Sequence, residues 1–253
     1  MYRVFDCSDI SLTSIFAMNS RIENTVEHIR NIFISQIDRK PLVVMADNIH
    51  MLLDQHDINV CQVLYYLFNK NDTANPLDTT LLGFLCEYNE SSMDTPSLKK
   101  VKLRFFDLYL TAAEQGFALG QYFVGRCFMC HINCFGKINE ELDVSKPIHY
   151  FEKAARCGNA RAQFEMAVYY EHYKNDVRKA LYWYKKSEQN GFYQAPCCLG
   201  VLYKDELKKG IGKDLHLAIW FFRKSMPEDK TICLQLLKIF KIPHSMDEDF
   251  SRW

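Results

Sequence analysis

Residues 147–170 read P-I-H-Y-F-E-K-A-A-R-C-G-N-A-R-A-Q-F-E-M-A-V-Y-Y, and residues 178–200 read R-K-A-L-Y-W-Y-K-K-S-E-Q-N-G-F-Y-Q-A-P-C-C-L-G. One phrase occurs in both: an aromatic pair, a basic residue, a small residue, a Gly, then a helix rich in small residues. Working outward, four copies superpose without gaps: Arg104–Gly116, Lys146–Gly158, Lys179–Gly191 and Leu217–Met226, the last cut short by Pro227. A second landmark precedes each copy. It is a Leu-Gly pair or a degenerate form of it: Leu82-Gly83, Val124-Gly125 before Phe128, Met166-Ala167 before Tyr170, and Leu199-Gly200 before Tyr203. Successive small residues in this series are 42, 42 and 33 residues apart. A period in this range marks a solenoid, whose units cannot bury their apolar faces alone. Unequal spacing is what variable loops within a fixed pair of helices produce.

The chemistry of the phrase predicts helical hairpins. Ala180, Tyr182, Trp183 and Tyr184 lie on a run of helix formers closed by Gly191, a residue that tolerates the left-handed conformation at a helix C-terminus. Gly125, Ala167 and Gly200 have no bulky side chain. Gly inside a helix costs about 1 kcal/mol relative to Ala, so small residues at one register point to a close helix–helix approach. Four unrelated amphipathic pairs would not keep aromatic, basic, small and Gly positions in one order.

The pattern A-x-x-x-L-G-x-x-Y, a G-x-G loop, then K-A-x-x-W-Y-x-K-A-A-x-x-G resembles the Sel-one-like repeat, a relative of the tetratricopeptide repeat. Ala195–Tyr203, Gly210-Ile211-Gly212-Lys213-Asp214 and Ala218–Ser225 carry the fullest match, and Lys179–Gly191 the clearest second helix. Pro147 and Phe105 depart from the preferred Ala, the third unit lacks the G-x-G loop between Tyr170 and Lys179, and the second unit has a long loop. The run into Leu81-Leu82-Gly83 resembles expanded fungal arrays, which often stand beside a protein kinase domain; none is in this sequence. The resemblance implies an all-α, right-handed solenoid of helix-turn-helix units, no catalysis and no cofactor. It also implies a protein-interaction scaffold or adaptor. Such proteins serve membrane-protein degradation in the endoplasmic reticulum or signalling, and the lack of a signal peptide or membrane span favours signalling; a regulatory partner of a protein kinase is the alternative.

Lys plus Arg equal Asp plus Glu at 31 each, so no basic excess exists to neutralise phosphates, and nucleic acid is excluded as a partner class. No run approaches the ~18 apolar residues of a membrane span. The N-terminus M-Y-R-V-F-D-C-S-D-I lacks the basic and apolar regions of a secretory signal, which leads us to expect a cytoplasmic location. The ten cysteines then read as reduced, buried thiols rather than disulfides.

Taken in order, residues 1–20 are mixed, and we expect them outside regular structure. Ile22, Val26, Ile29, Phe33 and Ile37 step by three and four, one stripe of a helix. Past Pro41, a second helix is expected over Leu42–Gln55 with Val43, Ile49, Leu52 and Leu53 inside, and a third over Val60–Phe68. Residues 1–75 show no repeat landmark and read as a helical cap, since solenoid ends need one to cover the first unit. An independent interaction domain is the alternative. Residues 76–226 hold the four repeats, opening at Pro76, a good helix-start residue. Residues 227–253 form a closing helix over Thr231–Phe240 and an acidic tail in which Phe250 and Trp253 could dock.

No catalytic motif is present. Cys127-Phe128-Met129-Cys130-His131 matches the C-x-x-C-H haem pattern, and with Cys134 it could ligate zinc. Haem attachment needs an exported chain, and a structural zinc site needs ligands from a second segment, for which Cys86 or Cys157 are the candidates. No cofactor and no metal site are therefore assigned. Partner-binding candidates come from the resemblance, in which the first helix of each unit lines the concave face. Carried over from the landmark register, they are Tyr122, Arg126 and Met129, then Phe164, Val168 and Glu171, then Cys197, Val201 and Lys204. That set would suit a helical or extended apolar peptide.

Overall fold

The computed structural model of the chain describes residues 12–70, 75–88, 105–129, 145–204 and 213–225. Among the described residues all regular structure is helical: eleven α-helices and one π-helical turn. The chain divides into two compact units, Met1–Gln115 and Gly116–Trp253.

In the first unit, α1 spans Leu12–Gln36, α2 Leu42–Gln55, α3 Val60–Lys70, α4 Pro76–Tyr88 and α5 Phe105–Glu114. The α1 stripe is as expected: Ile22, Val26, Ile29, Phe33 and Ile37 are all buried. The helix nevertheless begins at Leu12, so residues 12–20 are helical where we expected none. In α2 the bounds hold but the face does not. Leu42, Met45, Ala46, Ile49 and Leu53 form the inner stripe, while Val43 points outward and Leu52 is only half-buried. Four apolar residues open this helix, L-V-V-M, so its first turn carries no periodic information and the register is set by Met45, Ile49 and Leu53.

Helix α4 starts at Pro76, where Asn75 accepts a hydrogen bond on Oδ1 from the Leu77 N–H. Every residue from Thr79 to Cys86 is buried, because α1–α3 pack on one side of this helix and α5 on another. Arg30 on α1 grips Asp78 with two hydrogen bonds, Nε to Oδ1 at 2.7 Å and Nη2 to Oδ2 at 2.6 Å. The rings of Phe33 and Phe84 meet at 5.2 Å.

The second unit contains three hairpins in series. They pair α6 (Ala118–Met129) with α7 (Ser145–Arg156), α8 (Ala160–Val168) with α9 (Val177–Gln189), and α10 (Ala195–Lys204) with α11 (Leu215–Ser225). Each helix packs on the next in chain order. Gly158 and Gly191 close α7 and α9 with φ of 88° and 89°, the left-handed region open to Gly at no steric cost. Where the third unit lacks a G-x-G loop, the chain turns through a π-helical segment, Tyr169–Tyr173, and Asn175 at φ 52°. Asp176 then caps α9, accepting from the Lys179 N–H at 3.0 Å.

The repeat landmarks are steric. A Cβ built on Gly125 would lie 2.6 Å from the Phe151 ring, and one on Gly200 would lie 2.7 Å from the Phe222 ring. Gly83 meets Tyr109 in the same way at 2.8 Å. Polar side chains fasten the α8–α9 hairpin together and tie it back to α7. Ser187 Oγ donates to the Ala160 carbonyl at 2.7 Å, and Asn190 Nδ2 to Gln163 Oε1 at 2.8 Å. Gln163 Nε2 in turn donates to the Ala155 carbonyl at 3.0 Å. The G-x-G loop at 210–212, the expected helix over 231–240 and the tail with Phe250 and Trp253 lie outside the described residues.

Candidate partner-binding site

The nine candidates all lie on the first helix of a hairpin or in the π-helical turn that extends one. They do not share one environment. Tyr122 is a correction: it is 4% exposed, its ring sits near Phe123 and Phe151, and its hydroxyl bonds Arg161. Burial pushes the phenol up to about 12. Tyr122 thus belongs to the core between α6, α7 and α8.

Phe164 is half-buried and packs within its own hairpin and on the turn after it, 5.4 Å from the Tyr184 ring and 4.9 Å from Phe192. Cys197, Val201 and Val168 are half-buried against the core cluster formed around Tyr184, Leu199 and Phe222. Lys204 is half-buried at the end of α10. Glu171 has a structural partner: its carboxylate, with a side chain 10% exposed, accepts a hydrogen bond from the Tyr184 hydroxyl at 2.9 Å. Arg126 is half-buried with its guanidinium 5.1 Å from the Phe123 ring centre.

Met129 and Val168 are brought together in one concavity. They line a small depression with Ile148, Phe151, Glu165, Tyr169 and Tyr173. Its volume, about 10 Å³, holds one water-sized group. The π-helical turn supplies the two tyrosines, stacked at 6.0 Å and 27°, and Tyr173 is exposed.

Sequence reasoning missed Arg161 and Glu165. Arg161 is buried, with its guanidinium 5.1 Å from the Phe192 ring centre. Desolvation raises the Glu165 carboxyl to about 7, against the opposing fields of Arg161 and Arg126. The available signal was two charged residues inside A-R-A-Q-F-E-M-A, a segment whose small residues announce close packing. Of the C-x-x-C-H motif only Cys127, Phe128 and Met129 are described; Cys130, His131 and Cys134 lie outside. Cys127 is a half-buried thiol, as Cys61, Cys197 and Cys198 are; Cys86 is buried and Cys157 exposed. Among the described residues no helix is long and apolar enough to cross a membrane.

No family model matches the chain, and no curated protein matches it. Solved structures do. A Sel1 repeat protein from Oxalobacter formigenes matches with a TM-score of 0.52 at 22% identity, over 70% of this chain and 66% of that one. A protective antigen of uropathogenic Escherichia coli strains that displays an SLR fold matches with a TM-score of 0.55 at 23% identity, over 70% of this chain and 36% of that one. This chain thus spans less than two thirds of the length of either. Serial helical hairpins, glycine landmarks wedged against aromatic rings and these two likenesses agree: the chain has the Sel1-like repeat fold.

Proposed function

We propose that the chain is a non-enzymatic scaffold that holds a protein partner along the first helices of its repeats. The observation that carries this is the row of half-buried side chains on α6, α8 and α10, Met129, Val168, Val201 and Lys204 among them, opening at one place into an aromatic-lined depression. Half-buried apolar side chains beside a few fixed charges are what a docked peptide covers. Assembly of a cytoplasmic signalling complex, with a protein kinase as a member, rests on the family resemblance alone.

The test is affinity capture of the full chain from its own cell extract, with quantitative mass spectrometry, beside a Met129→Glu, Lys204→Glu variant. Both positions end a helix, so the variant should keep its circular dichroism and melting profile. Partners lost by the folded variant support the groove. An unchanged partner set would sink it.

A further inference from the structure

The outer face of α2 carries an exposed, regularly spaced row of apolar and acidic side chains. Val44, Asp47, Met51 and Asp54 follow one another at steps of three, four and three, the spacing of a coiled-coil contact edge, with apolar and acidic residues alternating. Val43 flanks the seam. These side chains are exposed: Val43 is 59%, Val44 37% and Met51 56% accessible, and Asp47 and Asp54 also face solvent. Neither aspartate forms an ion pair among the described residues. The opposite side of the helix is fully used, with Leu42, Met45, Ala46, Ile49 and Leu53 in the core. A helix at the end of a solenoid needs a polar outer face for solubility; this one keeps three apolar side chains in water.

A second copy of the chain does not fit. In a parallel pair like positions face each other, which sets Asp47 against Asp47 and Asp54 against Asp54. In an antiparallel pair the two kinds of position face each other, which sets Val44 and Met51 against the carboxylates. Lys40 could relieve neither arrangement, because it precedes the helix, which starts after Pro41. Charge complementarity therefore selects a different sequence. We propose that this seam docks an amphipathic helix of another protein, one that presents Lys or Arg seven residues apart with apolar residues between them. Asp47 and Asp54 are two turns apart, roughly 10 Å along the axis, so basic residues at that spacing meet both at once.

The test uses the full chain and three labelled helical peptides of three heptads, with seams of Leu and Lys, Leu and Glu, or Leu alone, titrated by fluorescence anisotropy. The Leu/Lys peptide should bind at least about tenfold tighter than the Leu/Glu peptide, and the preference should shrink with added salt. Asp47→Asn with Asp54→Asn should erase the preference, and Met51→Lys should abolish binding. All three residues are exposed, so these variants should melt like the parent. Equal binding of the Lys and Glu peptides, no binding of the Lys peptide, or a preference that survives the double Asn variant would overturn the proposal. Sedimentation showing a dimer that Met51→Lys makes monomeric would give the face to a second copy and overturn it too.

Discussion

At the scale of single residues, the repeat is a series of clashes avoided. Gly83, Gly125 and Gly200 each face the aromatic ring at one fixed place in the following helix, and Ala167 takes the same register opposite Tyr184. Where that aromatic is a Tyr, the first helix carries a Glu four residues past the small position: Tyr109 donates to Glu87 at 2.8 Å and Tyr184 to Glu171 at 2.9 Å. Where it is Phe151 or Phe222, Met129 and Lys204 stand there instead. Gly200→Ala tests the steric half of this. Helix propensity favours Ala by about 1 kcal/mol, but a Cβ 2.7 Å from the fully buried Phe222 ring forces overpacking that costs about 1–3 kcal/mol. Net destabilisation of up to about 2 kcal/mol is expected from urea unfolding; a stabilised variant would show that the ring yields. Glu165 gives a pH prediction. Its carboxyl titrates near 7 in the folded chain against an ordinary value of 4.5, so the folded state holds a proton that the unfolded state has lost between those values. Stability should fall as pH rises from about 4.5 to 7, by up to about 3 kcal/mol, then level off. Glu165→Gln should flatten that slope in melts recorded across the range.

At the scale of elements, legibility followed how much a segment is constrained by one neighbour. The stripe of α1 was readable because it buries a single face over many turns, and the second helix of each repeat because Gly158 and Gly191 mark its end. The face of α2 was not, since Val43 and Val44 are as apolar as the residues that turn inward. The turn of the third unit was legible only as a missing loop; nothing in Y-Y-E-H-Y announces that a π-helical segment replaces it. Tyr122 shows the same limit at the site. A carried-over register can say which helix lines a groove, yet the Arg161 side chain that bonds the Tyr122 hydroxyl comes from the next repeat, and that contact makes the position core. Arg161 and Glu165 were invisible for the converse reason: charged residues are read as surface unless the partner that buries them is known.

At the scale of the whole molecule, we propose that residues 1–75 cap the first unit of the array. Helix α4 is the argument. It is enclosed on both sides, with Leu81, Phe84 and Leu85 almost fully buried, and its cap side is held by the Phe33 ring and the Arg30–Asp78 fork. Re-exposing those three side chains costs about 1.5–3 kcal/mol each. The sum is of the same order as the roughly 5–15 kcal/mol that holds a whole domain folded. A chain beginning at Pro76 should therefore lose order in its first hairpin. Limited proteolysis should cut within residues 76–115, dye binding should report exposed apolar surface, and soluble yield should drop. Adding residues 1–75 back as a separate polypeptide should restore protection if they act as a cap. A truncated chain that resists protease and melts like the full chain would instead make the first three helices an independent interaction domain that α4 does not need.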